Sequence, residues 1–528
     1  MGTRGRGGDR AHHRGQRRRA AVNGASGQAP LRGGALALAA FALALGTFMQ
    51  VLDSTIANVS LPTIAGNLGV SATQGTWIVT SFAVANGVAV PLTGWLMGRF
   101  GVVRVFVTSV ALFTLSSLLC GLAWDLGSLI AFRVLQGAVS GPMIPGSQTL
   151  LIAIFPPSRR STALGVWSMT TLIGPVAGPI LGGYICDNYH WSWIFLINVP
   201  VGLFCALVCW RSLHTRETPT RRLPIDTVGV VLLVMWVGAL QVVLDKGKDA
   251  DWFHSTFITV LALAAGLLFL VWLIWELTDE HPAVDLRLFR SRNLLFGTIA
   301  FCFGYAVFFA NLLLMPLWMQ TQLGYTATWA GLVAAPAGAL AFLLTPLVAR
   351  AGNRVDARIM ASLAFVAFGV SYLMRSDFTA YDDLWTYVLP LPVQGIAMSC
   401  FFISLLTIQL DGLRPEQIPM ATGISNFARI TAGSFAASLI TTLWDRREAM
   451  HQTRLADHVT ALSPGYQAAV EALQGLGVSA AQAAALVSRE MTRQAYQLAA
   501  NELFWLSGWI VLAMIALLWL TRRPDNGG

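Results

Sequence analysis

The feature that most constrains this chain is a run of about 20 apolar residues that recurs along almost its whole length. A helix of that length spans the roughly 30 Å hydrocarbon layer of a membrane. Of the 528 residues, 55% are hydrophobic and only 12% are charged, whereas an average soluble domain is about 25% charged. No soluble core could hide so much apolar surface, which excludes a chain of several soluble domains. The sequence predicts an all-α integral membrane protein.

The net charge of +9 is concentrated before the first apolar run. Eight arginines and one aspartate lie in residues 1–33, and the remainder of the chain is close to neutral. A basic tail beside a membrane helix orients the protein and contacts anionic lipid, so we do not expect nucleic acid as a partner. The Arg/Gly-rich composition predicts that residues 1–33 form a disordered cytoplasmic tail.

Fourteen segments are predicted to span the membrane. They are residues 34–55, 73–97, 104–123, 127–152, 162–185, 191–211, 225–243, 256–276, 294–320, 327–349, 357–374, 385–409, 419–443 and 501–521. Arginine follows every even-numbered segment and is absent from the short loops after segments 1, 3, 5 and 9. Because arginine-rich loops stay in the cytoplasm, both termini are expected there. Lys246, Lys248 and Arg375 are the exceptions to this pattern.

Short motifs recur at a nearly constant offset. Gln136-Gly137 matches Gln394-Gly395, and the Gly165 motif matches the Gly423 motif, both 258 residues on. Arg99-Phe100-Gly101 matches Arg350-Ala351-Gly352 at 251 residues. The order predicts a six-helix unit, two interposed helices and the unit again, which is a transporter architecture. The predicted parts are 34–213, 214–292 and 293–523, with a periplasmic helical insertion at 444–500 and a tail at 524–528.

Three charged residues lie deep within predicted spans. A carboxylate such as Asp53 costs about 2.5–3.5 kcal/mol at the centre of a spanning helix, so it is a functional candidate. Burial favours its neutral form, and Arg133 in the fourth segment is the cation best placed to oppose that. The other interpretation is a structural ion pair between the first and fourth segments. The third charged residue is Arg429, in the thirteenth segment. Two interpretations remain for it, a role in proton coupling and a structural pairing.

The fifth segment is rich in glycine and proline. Gly174, Gly178 and Gly182 recur every fourth residue, which leaves a flat face for close helix approach. Pro175 and Pro179 bend a helix and free backbone carbonyls. A hinge or gate between the halves is the functional interpretation, and plain tight packing is the alternative.

The composition also permits a binding cavity for varied amphipathic compounds. The chain has 18 Trp, 28 Phe and 15 Met, which supply soft apolar and aromatic surface. Polar residues inside the predicted spans are the candidates for lining such a cavity: Gln50, Asn58, Gln136, Asn311 and Gln394.

Motifs for chemistry are missing from the sequence. It contains no Gly-x-x-x-x-Gly-Lys-Ser/Thr loop for ATP, no His-Glu-x-x-His and no Gly-x-Ser-x-Gly. We therefore expect no catalytic residues, no bound metal and no cofactor, and a transporter instead of an enzyme.

Five motifs resemble those of a known family. Leu52–Pro62 resembles the first-helix signature of the fourteen-helix major facilitator drug:proton antiporters of the EmrB/QacA family, and Gly94–Gly101 with Arg104 resembles the loop between their second and third helices. Arg133–Gly137 and Gly174–Gly183 resemble their fourth-helix and antiporter motifs. The stretch from Trp191 to Pro200 also matches.

The resemblance implies a major facilitator fold and proton-driven multidrug efflux by alternating access. It further implies a Gram-negative inner membrane, an EmrA-like periplasmic adaptor and a TolC-like outer-membrane channel, with the proton gradient as the energy source. Asp53 is then the essential acid, while Arg99, Gly101 and Arg104 belong to the cytoplasmic gate. Gly98 departs from the family, which has Asp there, so the acidic partner of that gate is absent or supplied elsewhere.

Two other functions remain open at this stage. The same architecture could serve a dedicated exporter of one metabolite class, such as a siderophore, a fatty acid or an antibiotic. A transport-dead membrane scaffold that uses the 444–500 insertion would need none of the charged and glycine residues above, which argues against it.

Overall fold

A computed structural model describes residues 31–220, 224, 226–352, 354–460 and 462–522. Within these ranges the regular structure is helical and no strand occurs. The predicted disordered tail lies outside the described residues as far as residue 30, and so does the tail at 524–528.

Twenty α-helices follow one another in the described part of the chain. They are α1 Gly33–Asn67, α2 Ala72–Gly75, α3 Trp77–Ala89, α4 Thr93–Phe100, α5 Val102–Gly121, α6 Leu126–Ser140, α7 Met143–Ile154, α8 Arg160–Asn188, α9 Trp193–Leu196, α10 Asn198–Leu213, α11 Thr227–Lys246, α12 Thr256–Thr278, α13 Arg292–Gln322, α14 Ala327–Ala351, α15 Ala357–Arg375, α16 Leu384–Val388, α17 Pro390–Leu410, α18 Ile418–His458, α19 Pro464–Gly475 and α20 Ala480–Leu518. Short 3-10 turns occupy Pro157–Arg159, His214–Arg216, Trp252–His254, Leu286–Arg290 and Pro415–Gln417.

All fourteen predicted spans fall on helices, but several are interrupted. The second breaks between α3 and α4, which meet at 56°, and Pro91 lies at that break. The fourth divides into α6 and α7 around Gly141-Pro142. Proline lacks the N–H that an unbroken helix needs. Among the described residues, ten helices are long and apolar enough to cross a membrane, or eleven if the bent pair counts as one span, so the number fourteen stays a prediction.

The two six-helix units begin corresponding helices in the same way. Asp125 caps α6 by accepting a hydrogen bond from the Ser128 N–H at 2.7 Å. Asp383 caps α16 by accepting one from the Thr386 N–H at 3.0 Å. Both residues of the second cap lie 258 positions after those of the first. The predicted repeat thus extends to the side chains that cap the N-termini of corresponding helices.

The helix that carries the thirteenth predicted span continues beyond the predicted end of that span at residue 443. Helix α18 continues to His458 and α20 already begins at Ala480, so both run well beyond the apolar part of their sequences. They pack together there: Trp444 Nε1 donates to the Tyr496 carbonyl at 3.0 Å, and the two rings lie 4.8 Å apart. Hydropathy locates the end of the apolar part of a helix, which is not the end of the helix here. The contact between Trp444 and Tyr496 stabilises the helical conformation of both segments beyond that part.

Candidate functional site

Three other helices of the first six-helix unit place polar side chains around Asp53. Asp53 lies on α1, Ser117 on α5, Arg133 and Gln136 on α6, and Asn198 at the start of α10. Each of these side chains is buried, with at most 1% of its surface exposed. We call these five residues the acid cluster.

The Asp53 carboxylate is bonded at both oxygens. Arg133 Nη1 donates to Oδ2 at 2.6 Å, while Asn198 Nδ2 and Gln136 Nε2 donate to Oδ1 at 2.9 and 3.1 Å. The structure therefore brings two of the three residues predicted for proton coupling into direct contact. Hydrogen bonds to the remaining atoms offset the cost of burying an ion pair. These amides provide them for the acid, whereas Arg133 Nη2 has no partner among the described residues.

Arg133 is held by more than its acidic partner. Its Nε donates to the Ile78 carbonyl at 3.1 Å, and Nη1 also donates to Gln136 Oε1 at 2.7 Å. The guanidinium carbon lies 4.2 Å from the centroid of the Phe82 ring. If Asp53 takes up a proton, the carboxylate loses its charge and this cation remains unbalanced in a dry site. The charges of Asp53 and Arg133 therefore balance each other within the site.

Sequence reasoning missed two members of the acid cluster, Ser117 and Asn198. Asn198 Nδ2 and Gln136 Nε2 also reach Ser117 Oγ at 3.0 and 3.2 Å, and that hydroxyl donates to the Phe195 carbonyl at 3.0 Å. Asn198 lies in the matched stretch from Trp191 to Pro200, which was the available signal. Ser117 gave none, since a serine in an apolar helix usually bonds its own backbone.

Arg429 is not part of the acid cluster. It is 2% exposed on α18, where Nη2 donates to Asn426 Oδ1 at 3.2 Å and its guanidinium carbon lies 4.6 Å from the Tyr305 ring centroid. Its contacts belong to the second six-helix unit. The coupling role assigned to it stays a prediction.

The glycine face of α8 packs against α1 within the same unit. A Cβ added at Gly178 would meet Thr55, and one added at Gly182 would lie 2.9 Å from Ile56 Cγ1. The Thr55 hydroxyl reaches the Gly174 carbonyl at 3.3 Å. The flat face is therefore used to bring α1, which carries Asp53, close to α8. Pro175 and Pro179 lie within α8 as well, and the gating role of this segment stays a prediction.

An acid from a distant loop, Glu217, lies against the loop motif at the start of α5. Gly101 has φ +94°, a left-handed conformation that suits glycine, and a Cβ there would collide with Glu217. The Glu217 carboxylate accepts hydrogen bonds from the N–H groups of Val103 and Arg104 at 3.0 and 2.9 Å. It therefore caps the start of α5, where helix N–H groups favour a negative charge. The sequence left this partner open, and Gly98 has no acidic side chain to supply it.

The five candidate cavity residues lie in separate places. Gln136 belongs to the acid cluster, Asn58 is exposed, and Gln50 is buried with its Oε1 lacking a partner among the described residues. Asn311 and Gln394 line one cavity together, and it lies in the second unit. The assignment of Gln50, Asn58 and Gln136 to a substrate cavity stays a prediction.

The two units meet at the ends that the arginine-rich loops assign to the cytoplasm. Asn426 Nδ2 donates to Gln148 Oε1 at 2.9 Å, and the hydroxyls of Thr149 and Thr422 lie 3.2 Å apart. A Cβ on Gly94 would collide with Met420. These contacts close the space between the units on that side.

Comparison with known proteins places this architecture in context. The family model described as "Major Facilitator Superfamily" matches residues 43–437. The structure of the proton:xylose symporter XylE of that superfamily superimposes with a TM-score of 0.56 at 12% identity, covering 92% of this chain and 95% of XylE. At that identity the likeness concerns the fold alone.

Curated relatives match along nearly the whole chain. The chain is 46% identical over 502 residues to "Multidrug export protein EmrB" of Escherichia coli strain K12, covering 95% of this chain and 98% of that protein. It is 44% identical over 499 residues to "Fatty acid resistance protein FarB" of Neisseria gonorrhoeae, covering 94% and 98%.

Proposed function

The chain belongs to the Major Facilitator Superfamily, in the group that includes the EmrB multidrug export proteins, and from this premise we propose that it exports hydrophobic compounds in exchange for protons. Similarity to EmrB over 95% of the chain supports the drug-export part. The chain is a transporter of the membrane and carries ten or more apolar helices in its described part. The energy source is the proton gradient, and no cofactor takes part.

The proton-coupling part of the proposal rests on one observation, the buried Asp53–Arg133 ion pair. Both side chains are fully buried and 2.6 Å apart, so a proton on Asp53 changes the charge of a site that water cannot screen. In our proposal, protonation from the outer side loosens the pair and favours reorientation of the first unit. Loss of the proton to the cytoplasm restores it.

Closure on the cytoplasmic side indicates which stage of the cycle the structure represents. The contacts of Gln148 with Asn426 and of Thr149 with Thr422 hold the units together there. We assign this arrangement to the outward-facing stage, after substrate has left; in our proposal a proton then has to reach the buried Asp53 from the outer side. The inward-facing stage requires these contacts to open.

The driving force is sufficient for useful export. One proton that crosses 100 mV supplies about 2.3 kcal/mol. Because a tenfold ratio corresponds to about 1.4 kcal/mol, a one-to-one exchange sustains roughly a fiftyfold substrate gradient.

The helices that project beyond the membrane suit an attached partner. A helical extension lies on the side opposite the cytoplasmic contacts. It consists of the C-terminal part of α18, the whole of α19 and the N-terminal part of α20. In our proposal this extension faces an EmrA-like periplasmic adaptor, which connects to a TolC-like outer-membrane channel. The protein then resides in the inner membrane of a Gram-negative cell as part of a tripartite pump.

A dedicated exporter is the second candidate, because one relative is named for a single substrate class. FarB is named for fatty acid resistance and is 44% identical over 94% of this chain. The acid cluster serves either exporter equally. It argues against a scaffold without transport, which would need no buried proton site.

Efflux of a fluorescent dye from energised cells tests the proposal. The comparison is between the wild type and Asp53→Asn at equal abundance in the membrane, with adaptor and channel present. We expect uncoupler-sensitive efflux in the wild type and its loss in Asp53→Asn, since an amide cannot carry the proton. Asp187→Asn is the matched control, because Asp187 is an exposed acid at the end of α8.

Two results would contradict the proposal. Uncoupler-sensitive efflux by Asp53→Asn at the wild-type rate would remove Asp53 from the proton path. Wild-type export that is insensitive to uncoupler would exclude proton coupling altogether.

A further inference from the structure

Two acidic side chains meet at one end of the interposed helices α11 and α12, the end that the arginine-rich loops assign to the cytoplasm. Asp226 directly precedes α11 and caps its first turn, while Glu276 lies in the last turn of α12. Asp226 is 9% exposed, and Glu276 has no exposed surface. We call these two residues the carboxylate pair. It is separate from the acid cluster, and the export proposal makes no use of it.

Each acid of the carboxylate pair bonds through one oxygen and leaves the other without a partner. Asp226 Oδ1 accepts hydrogen bonds from the Gly229 N–H at 2.8 Å and from Trp275 Nε1 at 3.0 Å. Glu276 Oε2 accepts one from the Val284 N–H at 3.1 Å. Asp226 Oδ2 and Glu276 Oε1 are buried and have no partner among the described residues.

The two unpartnered oxygens face the same small space. A Cβ added at Gly229 would lie 2.1 Å from Asp226 Oδ2 and 2.9 Å from Glu276 Oε1. Glycine at position 229 therefore allows both oxygens to approach one point. Because like charges in one buried site disfavour each other, such a pair retains a proton or takes up a cation.

The surroundings of Glu276 offer no cation among the described residues. Asp279, the other charged group that acts on it, is also an acid, and Trp272 Nε1 lies close by without an acceptor. The turn at Leu286–Arg290 packs against the same end of α12. Its Arg287 is exposed and donates to the Asp279 carbonyl at 2.7 Å.

The helices that pack on α11 add no counter-charge either. Helix α3 contains no charged residue, and the buried Arg429 of α18 contacts Asn426 and Tyr305 instead. A buried acid without a counter-ion lowers its cost by taking up a proton. The described surroundings thus favour a proton over a second negative charge.

We propose that Asp226 and Glu276 bind one proton as a pair and form a second proton-binding site, which connects α11 to α12. With that proton the pair carries a single negative charge, and the N–H groups of Gly229, Trp275 and Val284 stabilise it. The proton belongs to the pair and not to either residue alone. At alkaline pH the proton is lost, and two like charges then oppose each other at this connection. The inference does not depend on the export function.

Helix α11 gives this site an influence on both six-helix units. A Cβ added at Gly87 of α3 would lie 3.3 Å from Val237 of α11, and the Trp236 ring of α11 lies 5.8 Å from the Phe427 ring of α18. The proton at the start of α11 therefore stabilises a helix that contacts one unit on each side.

Thermal unfolding of the purified full-length protein between pH 5.5 and pH 9 tests the proposal. Unfolded carboxyl groups ionise near pH 4, so a proton held only in the folded state stabilises the protein at low pH, and this stabilisation is lost as the pH rises. Glu276→Gln keeps the side-chain shape and cannot ionise. We expect it to melt like the wild type at pH 5.5 and several degrees higher than the wild type at pH 9. Glu280→Gln, at an exposed glutamate, is the control and should follow the wild type throughout.

Infrared spectroscopy detects the bound proton directly. A protonated carboxyl group has a C=O stretching band that shifts in D2O, and ordinary carboxyl groups are ionised at pH 6. We expect the band of the carboxylate pair in the wild type and in Asp53→Asn, and its loss in Glu276→Gln and in Asp226→Asn. The last variant keeps the test decisive if Glu276→Gln does not fold.

Three outcomes would overturn the proposal. They are a melting difference between the wild type and Glu276→Gln that does not change with pH, a carboxyl band that both pair variants retain, and a rise in the wild-type melting temperature at pH 9 with sodium or magnesium ions that Glu276→Gln lacks. The last would assign the site to a metal cation. None of them bears on Asp53, which the efflux assay tests separately.

Discussion

The side chains of Asp53 and Arg133 form a 2.6 Å ion pair in which neither has any exposed surface. The pair joins α1 to α6 inside one six-helix unit, and two side-chain amides complete the coordination of the carboxylate. Its two charges depend on each other, since either one alone would be an uncompensated charge in a dry site.

Stability measurements on the pair should show this dependence. Removing one partner of a buried ion pair costs about 3–5 kcal/mol, whereas replacing both is far milder. We expect Arg133→Gln and Asp53→Asn each to lower the melting temperature in detergent more than the double variant does. The exposed pair of Lys248 and Asp445, 2.8 Å apart, is the control and should contribute about 0–1 kcal/mol. Additive losses in the buried pair would show that its charges are independent.

Much of this architecture follows from the sequence alone. Apolar length places every spanning segment on a helix, and the cost of a charge in hydrocarbon singles out Asp53 and Arg133. The 258-residue offset, read from two glycine motifs, reappears in the helix caps at Asp125 and Asp383. These signals are local or periodic, so they can be recognised in the sequence without knowledge of the tertiary structure.

Other features depend on contacts between distant residues and could not be read in this way. Glu217 reaches the start of α5 from 114 residues away, and no motif connects the two. Arg375 follows an apolar segment as a loop residue would, yet tertiary packing buries it. The continuation of α18 to His458 depends on packing against α20.

Helix α8 should tolerate a methyl group beside its glycine face but not on that face. A Cβ at Gly178 would collide with Thr55, whereas one at Gly183 has no atom within 4 Å. We expect Gly178→Ala to lower both melting temperature and efflux, because α1 must move away from α8. Gly183→Ala is the matched control and should be neutral or stabilising by up to about 1 kcal/mol, owing to the better helix propensity of alanine. Equal effects of the two substitutions would contradict this packing.

The Glu217 cap should protect the first turn of α5. Loss of a capping side chain costs about 0.5–2 kcal/mol, so we expect Glu217→Ala to speed hydrogen exchange at the amides of Val103 and Arg104 about fivefold. Peptide-level exchange with mass detection measures this. Glu280→Ala alters an exposed glutamate in another loop and should leave these amides unchanged, as Glu217→Ala would if the cap contributed nothing.

The caps at Asp125 and Asp383 should make stability fall in acid. The Ser128 N–H lowers the pKa of Asp125, and the Thr386 hydroxyl lowers the pKa of Asp383. A lowered pKa in the folded state means that these carboxylates stabilise the protein above their ordinary pKa of about 4, and that this stabilisation is lost as the pH falls through the folded-state values. In the double variant Asp125→Asn, Asp383→Asn the caps remain but do not titrate. Between pH 6 and pH 3 the wild-type melting temperature should therefore fall more steeply than that of the variant, since every other carboxylate is common to both. Parallel curves would show that neither cap is coupled to folding.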